Sequence, residues 1–245
     1  MEKSAKLGKL TLLNIILFGF IGQDAWAVEN NFFNTFLFSF GGTTKDISTM
    51  VAASAVVAVV TTFVVGTLSD KLGRRKVFIC AGYVAWGITV MAFAFISREN
   101  LGKLIGADPS SAAALSATVT TVIVMDCIMT FMGSTSNDSA FNAWITDVTV
   151  PSNRAKTEGL LAILPVLALV IVTGVFGFIA GDDAQASDYS TCFLGLGILV
   201  IICGIIGIFT IKDTGSGQKS DGNFFADLIY GFRPSVIKSH KCLYL

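Results

Sequence analysis

Six stretches of this chain are each apolar for about twenty residues or more, and that recurrence constrains its fold more than any other feature. They cover about residues 10–38, 47–68, 77–96, 115–145, 160–180 and 191–211. A helix needs ~20 mainly apolar residues to cross a hydrocarbon core about 30 Å thick, and each stretch reaches that length. In lipid a backbone has no water to bond to, so each stretch must satisfy its own N–H and C=O groups as a helix. Composition agrees: 53% of the 245 residues are hydrophobic and 14% are charged, against roughly 25% charged in a soluble domain. The sequence therefore predicts an all-α integral membrane protein, with a six-helix bundle over residues 1–211 lying in a lipid bilayer. Net charge is zero, which offers nothing to nucleic acid.

The basic residues orient the bundle. With the N-terminus inside, 14 of the 17 Lys and Arg fall on one side: Lys3, Lys6, Lys9, Lys71, Arg74, Arg75, Lys76, Arg154, Lys156, Lys212, Lys219, Arg233, Lys238 and Lys241. Only Lys45, Arg98 and Lys103 remain opposite, beside the acidic Asp108, Asp182, Asp183 and Asp188. The positive-inside rule then predicts a multi-pass protein of the cell (plasma) membrane with a cytoplasmic N-terminus. The Lys-rich start and Ala25-Trp26-Ala27 also resemble a signal peptide with its cleavage site. Phe32 to Phe40 prolong the apolar stretch and Asp24 sits just before the cut, so a retained first span is expected. The five Cys form no CxxC or Cys/His spacing, and neither disulfide nor metal site is expected. Gly177-x-x-x-Gly181 and Gly204-x-x-Gly207 read as close helix contacts.

Between the second and third spans lies GTLSDKLGRRK, residues 66–76, a dense run of charge beside apolar helices. Gly66 removes a side chain where a neighbouring helix comes close. Asp70 sits at a helix C-terminal end, where a carboxylate needs a compensating cation or helix N-terminus. Gly73 permits a left-handed turn, and Lys71, Arg74, Arg75 and Lys76 hold that turn at the membrane face. After the fourth span, TDVTVPSNRAKTEGL carries Asp147, Pro151, Arg154 and Gly159. The first stretch resembles the signature between helices two and three of the major facilitator superfamily, and the second resembles that family's turn of an acid, a proline and an arginine before helix five. The resemblance implies a twelve-helix fold of which this chain is the N-terminal six-helix half. Residues 212–245 are then a cytoplasmic linker and the start of a second half, beginning DTGSGQKSDG and continuing with Phe224, Phe225, Leu228, Ile229 and Phe232. It also implies a latch across the inner face, with Asp70 and Arg154 on facing turns.

Polar residues inside the spans point to cargo. The first span holds Asp24, Glu29, Asn30, Asn31 and Asn34, of which Asp24, Asn31 and Asn34 recur at helical spacing. The fourth holds Asp126, Gly133, Asn137 and Trp144, whose offsets of 7, 11 and 18 return to one stripe of an α-helix. An Asp at mid-membrane costs about 2.5–3.5 kcal/mol on insertion scales and so faces a cavity or a partner. A carboxylate, an amide and an indole on one stripe can bond and stack against a polyol ring. The alternative is interhelical polar contact, which weighs more for the Asn residues than for Asp24 and Asp126. Asn137-Asp138-Ser139 spells a glycosylation acceptor, set aside because it lies within a span.

Gly22-Gln23-Asp24 and Met125-Asp126 resemble the sugar-contacting acids of the glycoside–pentoside–hexuronide:cation symporters, the melibiose permease-like branch. That branch carries acidic cation ligands in helix two, whereas ISTMVAASAVVAVVTTFVVG is uncharged. The resemblance implies coupling to H+ or Na+, and the uncharged second span favours the proton, carried by Asp24, Glu29 or Asp126. The expected function is symport of a small polar solute, a sugar or glycoside; the alternative is an exporter of amphiphilic or cationic compounds. No cofactor is expected beyond the coupling ion, and no enzyme constellation is visible: the one His is His240, with no Walker loop and no nucleophile elbow.

Overall fold

The computed structural model describes residues 7–180 and 186–213, and every regular element there is helical. The helices are α1 (Lys9–Ser39), α2 (Thr44–Leu72), α3 (Arg75–Ala92), α4 (Arg98–Ile105), α5 (Ala112–Gly133), α6 (Asn142–Val148), α7 (Pro151–Leu161), α8 (Leu164–Ala180) and α9 (Ala186–Thr210). A 3₁₀ turn (Phe93–Phe95) extends α3, and a π-helical segment (Ser134–Phe141) joins α5 to α6. Six helices or helix runs are long and apolar enough to cross a membrane: 9–39, 44–72, 75–95, 112–148, 151–179 and 189–210. All six predicted spans are present. The segment 212–245, apart from Lys212 and Asp213, lies outside the described residues, as does Gly181.

Local chemistry sets the boundaries. α2 opens on a capping box, with Thr43 N–H donating to Asp46 Oδ2 at 2.8 Å and Asp46 N–H to Thr43 Oγ1 at 3.3 Å. It closes on Gly73, whose φ of 59° is the left-handed cap that lets α3 begin two residues later. Ser111 caps α5, and Pro151 occupies the first turn of α7, where its missing N–H leaves nothing unsatisfied. The fifth span is broken between Leu161 and Leu164. Pro165 explains the break: it cannot donate to the Leu161 carbonyl, and its ring crowds that group. The short α4, in the connection after the third span, is capped by Ser97 and held by a Lys103–Glu99 pair at 2.8 Å.

The core is aromatic. Phe33 and Phe36 of α1 meet Phe93 and, from α9, Phe193, with ring centroids 4.3 Å apart for Phe33–Phe93 and 5.0 Å for Phe36–Phe193. α9 lies directly on α3 because glycines remove side chains at the crossing. A Cβ on Gly87 would come within 2.6 Å of the Gly197 carbonyl, and one on Gly204 within 2.9 Å of Val84. Gly177, by contrast, meets nothing within 4 Å. Outward faces stay apolar: Val56, Val60 and Phe63 on α2, Val170 and Phe178 on α8, Ile202 and Phe209 on α9 are all exposed. Exposed apolar surface on this scale suits lipid or another apolar partner, not water.

Between α1, α3 and the π segment runs a buried polar chain. Tyr83 Oη donates to the Phe18 carbonyl at 2.7 Å, and Asn137 Nδ2 donates to Tyr83 Oη at 3.0 Å. Gly22 makes room for it, since a Cβ there would stand 1.7 Å from Asn137 Nδ2 and 2.7 Å from Tyr83 Oη. Gly22→Ala is therefore expected to destabilise the bundle by about 1–3 kcal/mol, the cost of overpacking a core. Chemical denaturation in detergent checks it; a loss under about 0.5 kcal/mol, the range of a neutral surface change, would contradict this packing.

Candidate functional site

A cleft of about 410 Å³ opens between α1, α2, α5 and the π segment. α1 contributes Gln23, Trp26, Glu29 and Asn30; α2 contributes Val51, Ser54, Ala55 and Ala58; Thr130 and Asp138 complete it. At 100° per residue the four α1 residues span an arc of about 120°. Trp26 packs on Trp86 behind it, ring centroids 5.1 Å apart. Gly133 permits that pair: a Cβ there would come within 2.9 Å of both indoles.

The cleft's chemistry is carboxylic. Glu29 Oε1 accepts from Thr130 Oγ1 at 3.1 Å, and Glu29 Oε2 is buried with no hydrogen-bond partner among the described residues. Asp126, only 2% exposed, stands one turn from Thr130 on α5. It is close enough for its charge to act on Glu29, and the Ser54 hydroxyl approaches it. Its Oδ1 likewise has no partner. Asp138 sits on the far wall, accepting from Ser134 Oγ at 3.0 Å, and its charge also acts on Glu29. Among the described residues, no Lys, Arg or His lines the cleft. Buried carboxyl oxygens without partners are costly, so this arrangement is poised to take a proton or another cation. Among the described residues, no group of three or more His, Cys, Asp or Glu is placed to hold a metal ion.

The structure brings together only some of the residues that spacing grouped. Glu29 lines the cleft; Asp126 is not a lining residue but lies buried close enough for its charge to act on Glu29. Asp24 is buried, with Oδ1 unpartnered, but is not a lining residue. It and Asn31 fall about 80–100° beyond the α1 arc that forms the wall. Asn31 donates to the Ala27 carbonyl at 2.7 Å, and Asn34 lies one turn past the cleft. Asn137 is held by Tyr83, and Trp144 donates from Nε1 to the Lys212 carbonyl at 3.1 Å. Their separation from Asp126 follows from the π segment, whose i→i+5 bonds put more residues in each turn and slip the α-helical stripe. Gln23, Trp26, Ser54, Thr130 and Asp138 are the lining residues that spacing did not single out. Asp138 had a signal: an acid within an apolar span.

At the charged turn, Arg75 is the centre. It is 7% exposed, donates from Nη1 to Ser69 Oγ at 2.6 Å and from Nε to Asp147 Oδ2 at 3.2 Å, and pairs through Nη2 with Asp70. The cation that Asp70 requires thus comes from the first turn of α3. Arg154 turns to its own connection, donating to Thr149 Oγ1 at 3.2 Å and to the Thr146 carbonyl at 2.9 Å. Gly66 faces Ser139, where a Cβ would make an ordinary contact at 3.5 Å. Lys71 has a partner, and Arg74 is exposed.

A family model described as Major Facilitator Superfamily matches residues 13–240 of the chain. No curated protein and no solved structure matches it.

Proposed function

The chain belongs to the major facilitator superfamily, whose members are secondary transporters, and on that premise we propose that it is a proton-coupled symporter of a small hydroxylated solute. The proton is carried by Glu29 and Asp126, and the solute is a sugar or glycoside. What supports this most is a pair of buried carboxyl oxygens without partners among the described residues, Glu29 Oε2 in the cleft wall and Asp126 Oδ1 near it, beside the polar lining side chains of Gln23, Asn30, Ser54 and Thr130. Amides and hydroxyls suit a polyol, and a carboxyl that alternates between protonated and charged forms couples solute to proton. Asp24 completes the set from the buried side of α1 once the bundle rearranges. In this reading the bundle rocks against a second six-helix bundle that closes the open side of the cleft. Asp70, Arg75 and Asp147 brace the face at the charged turn, which is cytoplasmic by the distribution of basic residues.

Counterflow of labelled monosaccharides and glycosides, in proteoliposomes that hold this bundle together with the second six-helix bundle, tests the reading. Exchange of at least one sugar above empty liposomes is expected, and its absence across the panel would contradict it. A second reading, export of organic cations, draws on one observation: acids and the Trp26 indole line the cleft with no Lys, Arg or His among the described residues. Efflux of a lipophilic cation with no sugar exchange would favour that reading.

A further inference from the structure

A second cavity, of about 480 Å³, lies on the outside of the bundle and shares no residue with the cleft. Its walls are Val77, Ala81, Val84, Ala85 and Ile88 of α3 and Ile208 of α9. These α3 positions recur at helical spacing, so they form one stripe. Ala81 and Ala85 are small residues between the exposed Val77 and Ile88, and they make the depression. Its second wall exists because α9 comes so near. A Cβ on Gly204 would stand 2.9 Å from Val84, and one on Gly207 would stand 2.9 Å from Cys80 Sγ.

Two features identify what such a groove holds. From Val77 to Ile88 the stripe rises about 16 Å, at 1.5 Å per residue. That is the depth of one leaflet, half of a hydrocarbon core about 30 Å thick, and too short for a spanning helix. Lys76 also stands at one end of the lining, which is apolar throughout, and its charge acts on the neighbouring Cys80. Arg74, two residues before Lys76, and Lys212, next to Asp213 in the chain, are both exposed. Asp213 is the acidic group there, and its Oδ1 accepts from the Lys76 backbone N–H at 2.8 Å. An apolar slot one leaflet deep with a lysine at its polar end matches an acyl chain beneath a phosphate.

We propose that the α3–α9 groove binds one acidic phospholipid, its acyl chain along Val77, Ala81, Val84, Ala85 and Ile88 and its headgroup phosphate on Lys76. The bilayer then supplies a specific ligand at the charged turn, one residue from Arg75. A single lysine near a membrane surface contributes about fivefold in lipid affinity. The test is native mass spectrometry of the purified chain after incubation with phosphatidylglycerol or with phosphatidylcholine of the same acyl chains. We expect one phosphatidylglycerol to be retained in preference to phosphatidylcholine, and retention to fall about fivefold in Lys76→Gln. Lys45→Gln, an exposed lysine at the opposite end of α2, should leave it unchanged. Ala85→Phe, which fills the slot, should abolish retention of both lipids, and inorganic phosphate should not displace the bound lipid. Equal retention of the two lipids, no effect of Lys76→Gln, or displacement by inorganic phosphate would overturn the assignment. Should Ala85→Phe fail to fold, the lysine variants decide alone.

Discussion

Replacing Arg75 with Met is expected to lower the stability of the bundle by about 3–5 kcal/mol, the largest loss for any single charged residue in this chain. The Arg75 side chain is 9% exposed and joins three elements: Ser69 and Asp70 at the end of α2, its own position at the start of α3, and Asp147 of α6. Removing it leaves Asp147, with a side chain 17% exposed, facing a buried hydroxyl and a second carboxylate without a cation. Asp147→Asn should cost more than Asp70→Asn, because the Asp70 side chain is 57% exposed and water screens its share of the pair. Thermal unfolding of the three variants in one detergent checks the order. An Arg75→Met protein that unfolds with the wild type would remove the triad from any role in holding the turn.

The second large effect is functional. Glu29→Gln and Asp126→Asn keep the shape of the cleft while removing the groups that can gain and lose a proton. Each should reduce uphill accumulation of solute at least tenfold, while counterflow, which requires no net proton movement, persists within a few fold. The loss should be greater for Glu29, whose side chain lines the cleft, than for Gln23→Glu or Asn30→Asp, which add charge to the same wall without touching Thr130. Uphill accumulation at the wild-type level in both amide variants would place the coupling group elsewhere, with Asp24 and Asp138 the remaining acids nearby.

Much of this fold was legible because lipid imposes a simple rule on length and polarity. The number and order of the six spans follow from hydropathy, and the turn after α2 follows from Gly73, since few other residues accept a φ of 59°. What spacing could not deliver was the cleft itself. Grouping Asp126 with Asn137 and Trp144 assumed one continuous α-helix, and the π segment at Ser134–Phe141 turns Asn137 to Tyr83 and carries Trp144 to Lys212. The polar run STSNDS marks that segment only loosely. Serine, asparagine and aspartate compete for backbone hydrogen bonds, yet nothing in their order specifies i→i+5 pairing. Likewise the Asp70 partner was to be found five residues on, at Arg75, rather than in the distant turn that bears Arg154. Sequence showed that a cation was needed there; only packing could choose among the four that GTLSDKLGRRK offers.

Proton movement with the solute through Glu29 and Asp126 is read directly by a pH indicator outside proteoliposomes that hold this bundle with the second six-helix bundle. Addition of an exchanged sugar to wild-type proteoliposomes should alkalinise the medium as protons enter with it. The double variant Glu29→Gln/Asp126→Asn should give no pH change while its counterflow continues. Alkalinisation that survives in the double variant, or wild-type uptake that requires sodium and moves no protons, would contradict the account.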